Sequence, residues 1–335
     1  LRSGPVTFKD DTQHFLHGSI GSETASGLPI EVWNALPVLF PEDFDGKGDY
    51  SAFGFLYQED EEGRTDLPIG ISRRDRLGLT QVWFNCSVCH AGTWRESDGA
   101  DTQIVPGMPS NNLDLHRFIA FILRASTSPQ LASEPLLEAI DETGGDLGPI
   151  DRLVWKAVVI PRLREALLET RAALVPLLAR QPDWGPGRVD TFNPYKALEF
   201  GMDATELSEA EVIGASDFPS IWLQAPREGM DLHWDGNNPS LAERNLSAAL
   251  GAGVTPETVD HKGVQRVAKW LQDLPPPPSR HQPDPEAVAR GAEVYARECL
   301  ACHGRQSPDG YVFEGEYLGK VEPIDNIATD PARLN

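Results

Sequence analysis

Cysteine and methionine are scarce in this 335-residue chain, with four of the first and three of the second. Cations are also few: 29 Lys and Arg stand against 51 Asp and Glu, a formal net charge of −22. Neutralising nucleic-acid phosphates requires a basic face, so nucleic acid is a poor partner for this chain. Long apolar runs are missing too. The longest, such as residues 119–123 and 157–160, fall far short of the ~20 residues that span a bilayer, so the chain is read as not membrane-spanning. No signal peptide opens the sequence, which starts at Leu1; a processed or incomplete N-terminus is the expectation. What remains, 40% hydrophobic and 24% charged residues, suits a soluble globular protein long enough for two domains.

All the cysteines fall in two places, Cys86-Ser87-Val88-Cys89-His90 and Cys299-Leu300-Ala301-Cys302-His303. Each stretch is C-x-x-C-H, the attachment motif of a c-type haem. Two thiols on one helical turn reach the two vinyl groups of a porphyrin, and the next histidine supplies an axial nitrogen to iron. A thioredoxin-like pair or a zinc knuckle also uses C-x-x-C, but neither needs the adjacent histidine twice with no cysteine left over. The reading is two covalently bound c-type haems. Covalent haem attachment belongs outside the cytoplasm, so the expected location is periplasmic or otherwise extracytoplasmic. No disulfide remains once four thiols hold two haems. The acidic surface, including the run Glu59-Asp60-Glu61-Glu62, reads first as a solubilising one. It would also speed encounter with a basic electron-transfer partner.

Fold class reads as mainly α: two cytochrome c-like haem domains with a loop-rich N-terminal extension and few strands. Residues 1–75 are rich in Gly, Pro and Asp and read as a loop-dominated wrap around a core. Residues 76–274 form the N-terminal haem domain with a helical insertion, 275–283 a Pro-rich linker, and 284–335 a C-terminal haem domain that looks incomplete. Helices are expected over 113–125, over 150–178 with a break near Pro161, and over 257–274. Another runs from a Ser240 cap to Gly251. Pro275-Pro276-Pro277-Pro278 imposes polyproline geometry, and Asp284-Pro285 opens the last long helix. In Asp43-Phe44-Asp45-Gly46-Lys47-Gly48-Asp49, three carboxylates crowd two glycines. A Ca2+ loop is one reading; without the terminal bidentate Glu, a plain turn is favoured.

What fills the sixth position of a haem iron decides its function. Outside the motifs the histidines are His14, His17, His116, His233, His261 and His281, and the methionines Met108, Met202 and Met230. Met108, in the rigid turn Val105-Pro106-Gly107-Met108-Pro109, and His116 follow the first motif at a distance from which a returning loop could cap a haem. Ordinary core and surface roles remain open for both. His261 and His281 read as surface groups. In His233-Trp234-Asp235-Gly236, a tryptophan between redox centres could carry a transient hole. On residues alone an ordinary buried indole is favoured, since the chain has eight tryptophans.

The order Phe218-Pro219-Ser220-Ile221-Trp222, then His233 to Gly236, then Ser240-Leu241-Ala242-Glu243-Arg244-Asn245, all between two C-x-x-C-H motifs, resembles the bacterial di-haem cytochrome c peroxidase superfamily. The closest look is to its rubber-oxygenase branch, through residues 233–245 and Ala328-Thr329-Asp330-Pro331. Gly291, Tyr295 and Cys299 also share one helix face, as in class I cytochrome c domains, where glycine and an aromatic allow a close helix crossing. The resemblance implies that Cys86, Cys89 and His90 hold the haem that meets peroxide or dioxygen. Cys299, Cys302 and His303 hold the one that takes in electrons, and Trp234 relays between them. Departures accompany it: the 32 residues from Gly304 to Asn335 contain neither Met nor His, and the distal glutamate of the peroxidases has no assignable position. The expectation is a di-haem oxidoreductase. The alternative is a di-haem electron carrier, or a subunit of a larger redox complex, without substrate chemistry of its own.

Overall fold

The computed structural model describes residues 4–60, 63–233, 236–278, 282–308, 310–329 and 331. Helix outweighs strand, at 44% against 12%, and the strands form small antiparallel sheets. β1 (Gly4–Pro5), α1 (Asp11–His17), α2 (Ser22–Ser26), β2 (Leu28–Pro29) and α3 (Ile30–Leu39) open the chain. β3 (Glu59–Asp60) and β4 (Gly63–Arg64) make a short pair, and β5 (Ile71–Arg76) and β6 (Leu79–Phe84) a longer hairpin. The four-stranded sheet runs β1-β5-β6-β2.

β6 feeds directly into α4 (Ser87–His90), the single turn of the first motif, and then into the ribbon of β7 (Ala91–Trp94) and β8 (Gln103–Pro106). α5 (Leu115–Ala125) is capped by Asp114, whose carboxylate accepts from Arg117 N at 3.0 Å. Its buried positions 115, 118, 121, 122 and 125 recur at helical spacing on one face. α6 (Ser133–Glu142) and α7 (Pro149–Val154) follow. The break expected near Pro161 is a π turn at Trp155–Val159 that continues into α8 (Ile160–Leu178). Proline is tolerated there because it falls in the first turn of α8, where its missing N–H costs least.

β9 (Arg188–Asp190), α9 (Asn193–Leu198) and β10 (Ala215–Asp217) form a small satellite. α10 (Leu241–Gly251) begins where Ser240 caps it, and α11 (His261–Asp273) where Asp260 does. The exposed prolines 275–278 separate α11 from α12 (Pro285–Glu298). α13 (Leu300–His303) carries the second motif; β11 (Arg305–Ser307), β12 (Gly310–Val312) and α14 (Ile324–Ile327) complete the order.

The first 75 residues do not merely wrap a core. Trp33, Leu36, Phe44, Tyr50, Phe53 and Phe55 are the core, packed with Phe118 and Phe121 of α5. Phe118 sits among the rings of Trp33, Tyr50, Phe53, Phe55 and Phe84 at centroid distances of 5.2 to 6.1 Å. Edge and tilted contacts of this kind add to the area that the rings bury. A second brace is polar: fully buried Glu23 accepts from Ser19 Oγ at 2.9 Å, and Arg74 donates to Ser19 Oγ and to Asp260 Oδ2. This ties α2 and β5 to the start of α11.

The two motifs enter their turns differently. A strand leads into the first, and the 14-residue helix α12 into the second. α12 has no buried residue, and Val288 and Val294 on it are about half exposed, at 50% and 49%. A Cβ added to Gly291 would meet nothing, so the close helix crossing expected there has no partner among the described residues.

Candidate functional site

Asn85 organises the first motif. Its amide donates to Gly18 O at 2.9 Å and Leu16 O at 3.4 Å, and its Oδ1 accepts from Ser87 N at 2.9 Å. Ser87 Oγ lies 3.0 Å from Leu16 O and 2.9 Å from Asn85 Oδ1. Behind it Gly70, at φ +89°, lets the turn close, because a Cβ there would lie 2.4 Å from Val88 Cα. Gly107 N donates to His90 O at 2.8 Å and Ser110 N to Cys89 O at 2.9 Å. Backbone groups of the turn are thus answered by Asn85 and by the residues after β8, while the carbonyls of Leu16 and Gly18 hold the Asn85 and Ser87 side chains.

Cys86 and Cys89 are free and partly buried. Burial pushes the Cys86 thiol up to about 11 and, with Cys86 beside it, the Cys89 thiol up to about 12. His90 is pushed down to about 4, by burial first and by Arg244 second. Its Nδ1 lies 3.0 Å from Pro219 O. A carbonyl only accepts, so Nδ1 carries the proton and donates. Nε2 is left with its lone pair, the form in which imidazole binds a metal. This is the pattern by which a ligating histidine is oriented from behind. The donor set of two thiols and an oriented neutral imidazole therefore fits a c-type haem.

The segment that supplies Pro219 then crosses the molecule. Ile221 N donates to Gly107 O at 3.0 Å, and Trp222 Nε1 to Pro106 O at 2.8 Å. The Trp222 ring lies against Gly107, where a Cβ would be 2.5 Å away. Further along, Arg227 lies over the Phe313 ring at 5.0 Å and Asp231 N donates to Gly319 O at 2.8 Å. Gly236 packs on Val321. Residues 219–236 thus run from behind His90 to the hairpin and loop that follow the second motif. Trp234 and Asp235 lie in this segment but outside the described residues, as do Glu61, Glu62, His281 and Asp330.

At the second motif His303 is exposed. Tyr295 Oη donates to Gly304 O at 2.9 Å and meets Tyr311 Oη at 2.9 Å. Tyr311 Oη also donates to His303 O, and Tyr317 N to Ala301 O at 2.9 Å. Tyr295 is pushed up to about 12, chiefly by its bond to Tyr311.

Of the two candidate sixth ligands, Met108 packs on Gly92, two residues past His90 on the same ribbon. His116 is buried with its ring 4.9 Å from that of Trp184, and its Nδ1 lies 3.4 Å from Asp183. The structure does not bring these two residues together. In the acidic turn, Asp43 pairs with Arg124, Asp45 with Arg117 at 2.9 Å, and Asp49 accepts from Ser51 N. The three carboxylates face different partners, and the turn favoured by the sequence is cross-linked to α5. Among the described residues no group of three or more His, Cys, Asp or Glu could hold a metal ion. No helix among them is long and apolar enough to cross a membrane.

Sequence reasoning did not single out Asn85, the carbonyl of Pro219, or Arg244. Asn85 immediately precedes the motif, and the other two fall in stretches that carried the family resemblance; a backbone acceptor leaves no side-chain signature.

Part of the chain is similar to cytochrome c550 of Pseudomonas aeruginosa, 38% identical over 72 residues. That match covers 21% of this chain and spans half the length of the relative. No family model matches, and no solved structure does.

Proposed function

We propose that this chain is an extracytoplasmic di-haem c-type cytochrome that acts as an oxidoreductase. Cys86, Cys89 and His90 would hold a haem that supplies reactivity toward peroxide or dioxygen, and Cys299, Cys302 and His303 would hold one that supplies electron relay. The observation that carries this reading is the bond from His90 Nδ1 to Pro219 O, which orients one half-buried imidazole so that Nε2 is free for iron. A bound haem supplies a one-electron couple and, at an open sixth position, a place for a small oxidant. The chain's own residues do the rest. Pro219 fixes the tautomer of His90. His116 is engaged with Asp183 and Trp184, and Met108 packs against Gly92, so each already has a protein partner in this structure. Residues 219–222 contact the first motif and Arg227, Asp231 and Gly236 the segment after the second, and Trp234, in the same stretch of sequence, is the proposed relay. The net charge of −22 suits a basic electron-donor protein.

A second reading, an electron carrier without substrate chemistry, is favoured by the similarity to a cytochrome c550. Low-temperature paramagnetic resonance of the ferric and half-reduced protein separates the two. The oxidoreductase gives a high-spin signal that responds to peroxide. Two low-spin signals in both states, indifferent to peroxide, establish the carrier. Replacing Trp234 by Phe then slows inter-haem transfer if the indole is the relay; an unchanged rate removes that role.

A further inference from the structure

Beside the first motif lies a cation that meets no carboxylate among the described residues. Arg244, on α10, is half-buried, and its guanidinium is within electrostatic reach of both Cys86 and His90. Its hydrogen bond goes to Asn245 Oδ1 at 3.1 Å, and among the described residues no carboxylate pairs with it. Asn245 Nδ2 donates to Gln224 Oε1 at 3.0 Å, and Gln224, only 3% exposed, holds its Nε2 without any partner. Arg227 adds a second positive charge nearby, which makes an unanswered Arg244 less favourable still. In a chain with 51 carboxylates, a half-buried cation without one is conspicuous, since buried charges are paired. A buried orphan amide donor beside it points the same way.

An anion at this position satisfies both. A c-type haem carries two propionate carboxylates, and an Arg fork binds a carboxylate in two parallel hydrogen bonds. We infer that Arg244, backed through Asn245 by Gln224, pairs with a propionate of the haem attached at Cys86 and Cys89. This rests on the reading that a haem is attached there. Arg244 is a positioning residue: it would hold a propionate and place a positive charge that favours the reduced iron.

The test is an optical redox titration of the full haem-loaded chain, with haem content measured on the same sample. A Cys299→Ala/Cys302→Ala variant assigns the two waves. Arg244→Gln should lower the potential of the first haem by at least a tenfold shift in its reduction equilibrium, about 59 mV for a one-electron couple, and leave the second haem unmoved. Arg244→Lys, which keeps the charge and is the safer variant for folding, should restore most of that shift. An unchanged first potential in Arg244→Gln overturns the inference, as does an equal shift of both haems or a Lys variant no better than Gln. Wild-type protein with no haem at Cys86 and Cys89 overturns the proposed function instead.

Discussion

The bond that orients His90 spans 129 residues of chain, whereas the one that joins Tyr295 to Tyr311 beside the second motif spans 16. The same five-residue motif is therefore held in two ways. Around Cys86, α1, β5, the end of β8 and residues 219–222 all meet, and the turn closes only when the whole core has closed. Around Cys299, a helix, a hairpin and a loop adjacent in sequence make the contacts nearest the motif. Arg227, Asp231 and Gly236 touch the hairpin and loop beyond it, and α12 buries nothing. The comparison teaches that a short motif specifies a cofactor but not its environment. Long-range closure gives a site that is dry and rigid, and local closure one that opens on its own.

The largest blow to the first arrangement is Phe118→Ala. It removes the ring on which five other aromatics converge and should cost about 3–5 kcal/mol, read as a lower urea midpoint. Hydrogen exchange in 285–303 should stay as it was; a matching rise there would mean that the two motifs share one cooperative unit. Asn85→Ala comes next. It strips acceptors and donors from Leu16, Gly18 and Ser87 and should cost about 1–3 kcal/mol, with protection lost first at residues 86–90. A cost near zero would show that α1 does not brace the motif.

Acid should act on the same side. Burial holds His14 and His17 below the usual imidazole value of 6.5, with Arg266 adding to the effect at His14. Since the unfolded chain then takes up protons first, stability is full above 6.5 and falls as pH drops towards the folded values. Urea midpoints at pH 7.5 and 5.5 should differ in that direction, and His14→Phe should flatten the slope. An unchanged slope would clear His14. Tyr311→Phe should do least, about 0.5–1.5 kcal/mol, confined to exchange around 300–312.

How much of this was legible beforehand divides along the same line. Local signals read well: the caps Ser240 and Asp284 and the helix ending at Gly251 lie where spacing puts them. So do the motifs, because attachment chemistry fixes residue type and spacing together. The core did not read well. Trp33, Phe44, Tyr50 and Phe53 sit in a Gly- and Pro-rich stretch whose short elements have no period to detect; they become a core only against α5. The turn at 43–49 is legible as a turn, but its partners are not: Asp45 and Asp43 answer Arg117 and Arg124, more than 70 residues away. Nor could spacing reveal that the carbonyl of Pro219 stands behind His90.

The account's central claim, two c-type haems in unequal surroundings, is met most directly by an optical redox titration of the unmodified full chain. It predicts c-type haem absorbance equivalent to two haems per chain, reduced in two one-electron waves at distinct potentials. A single haem per chain, or two haems reduced together in one wave, would contradict it.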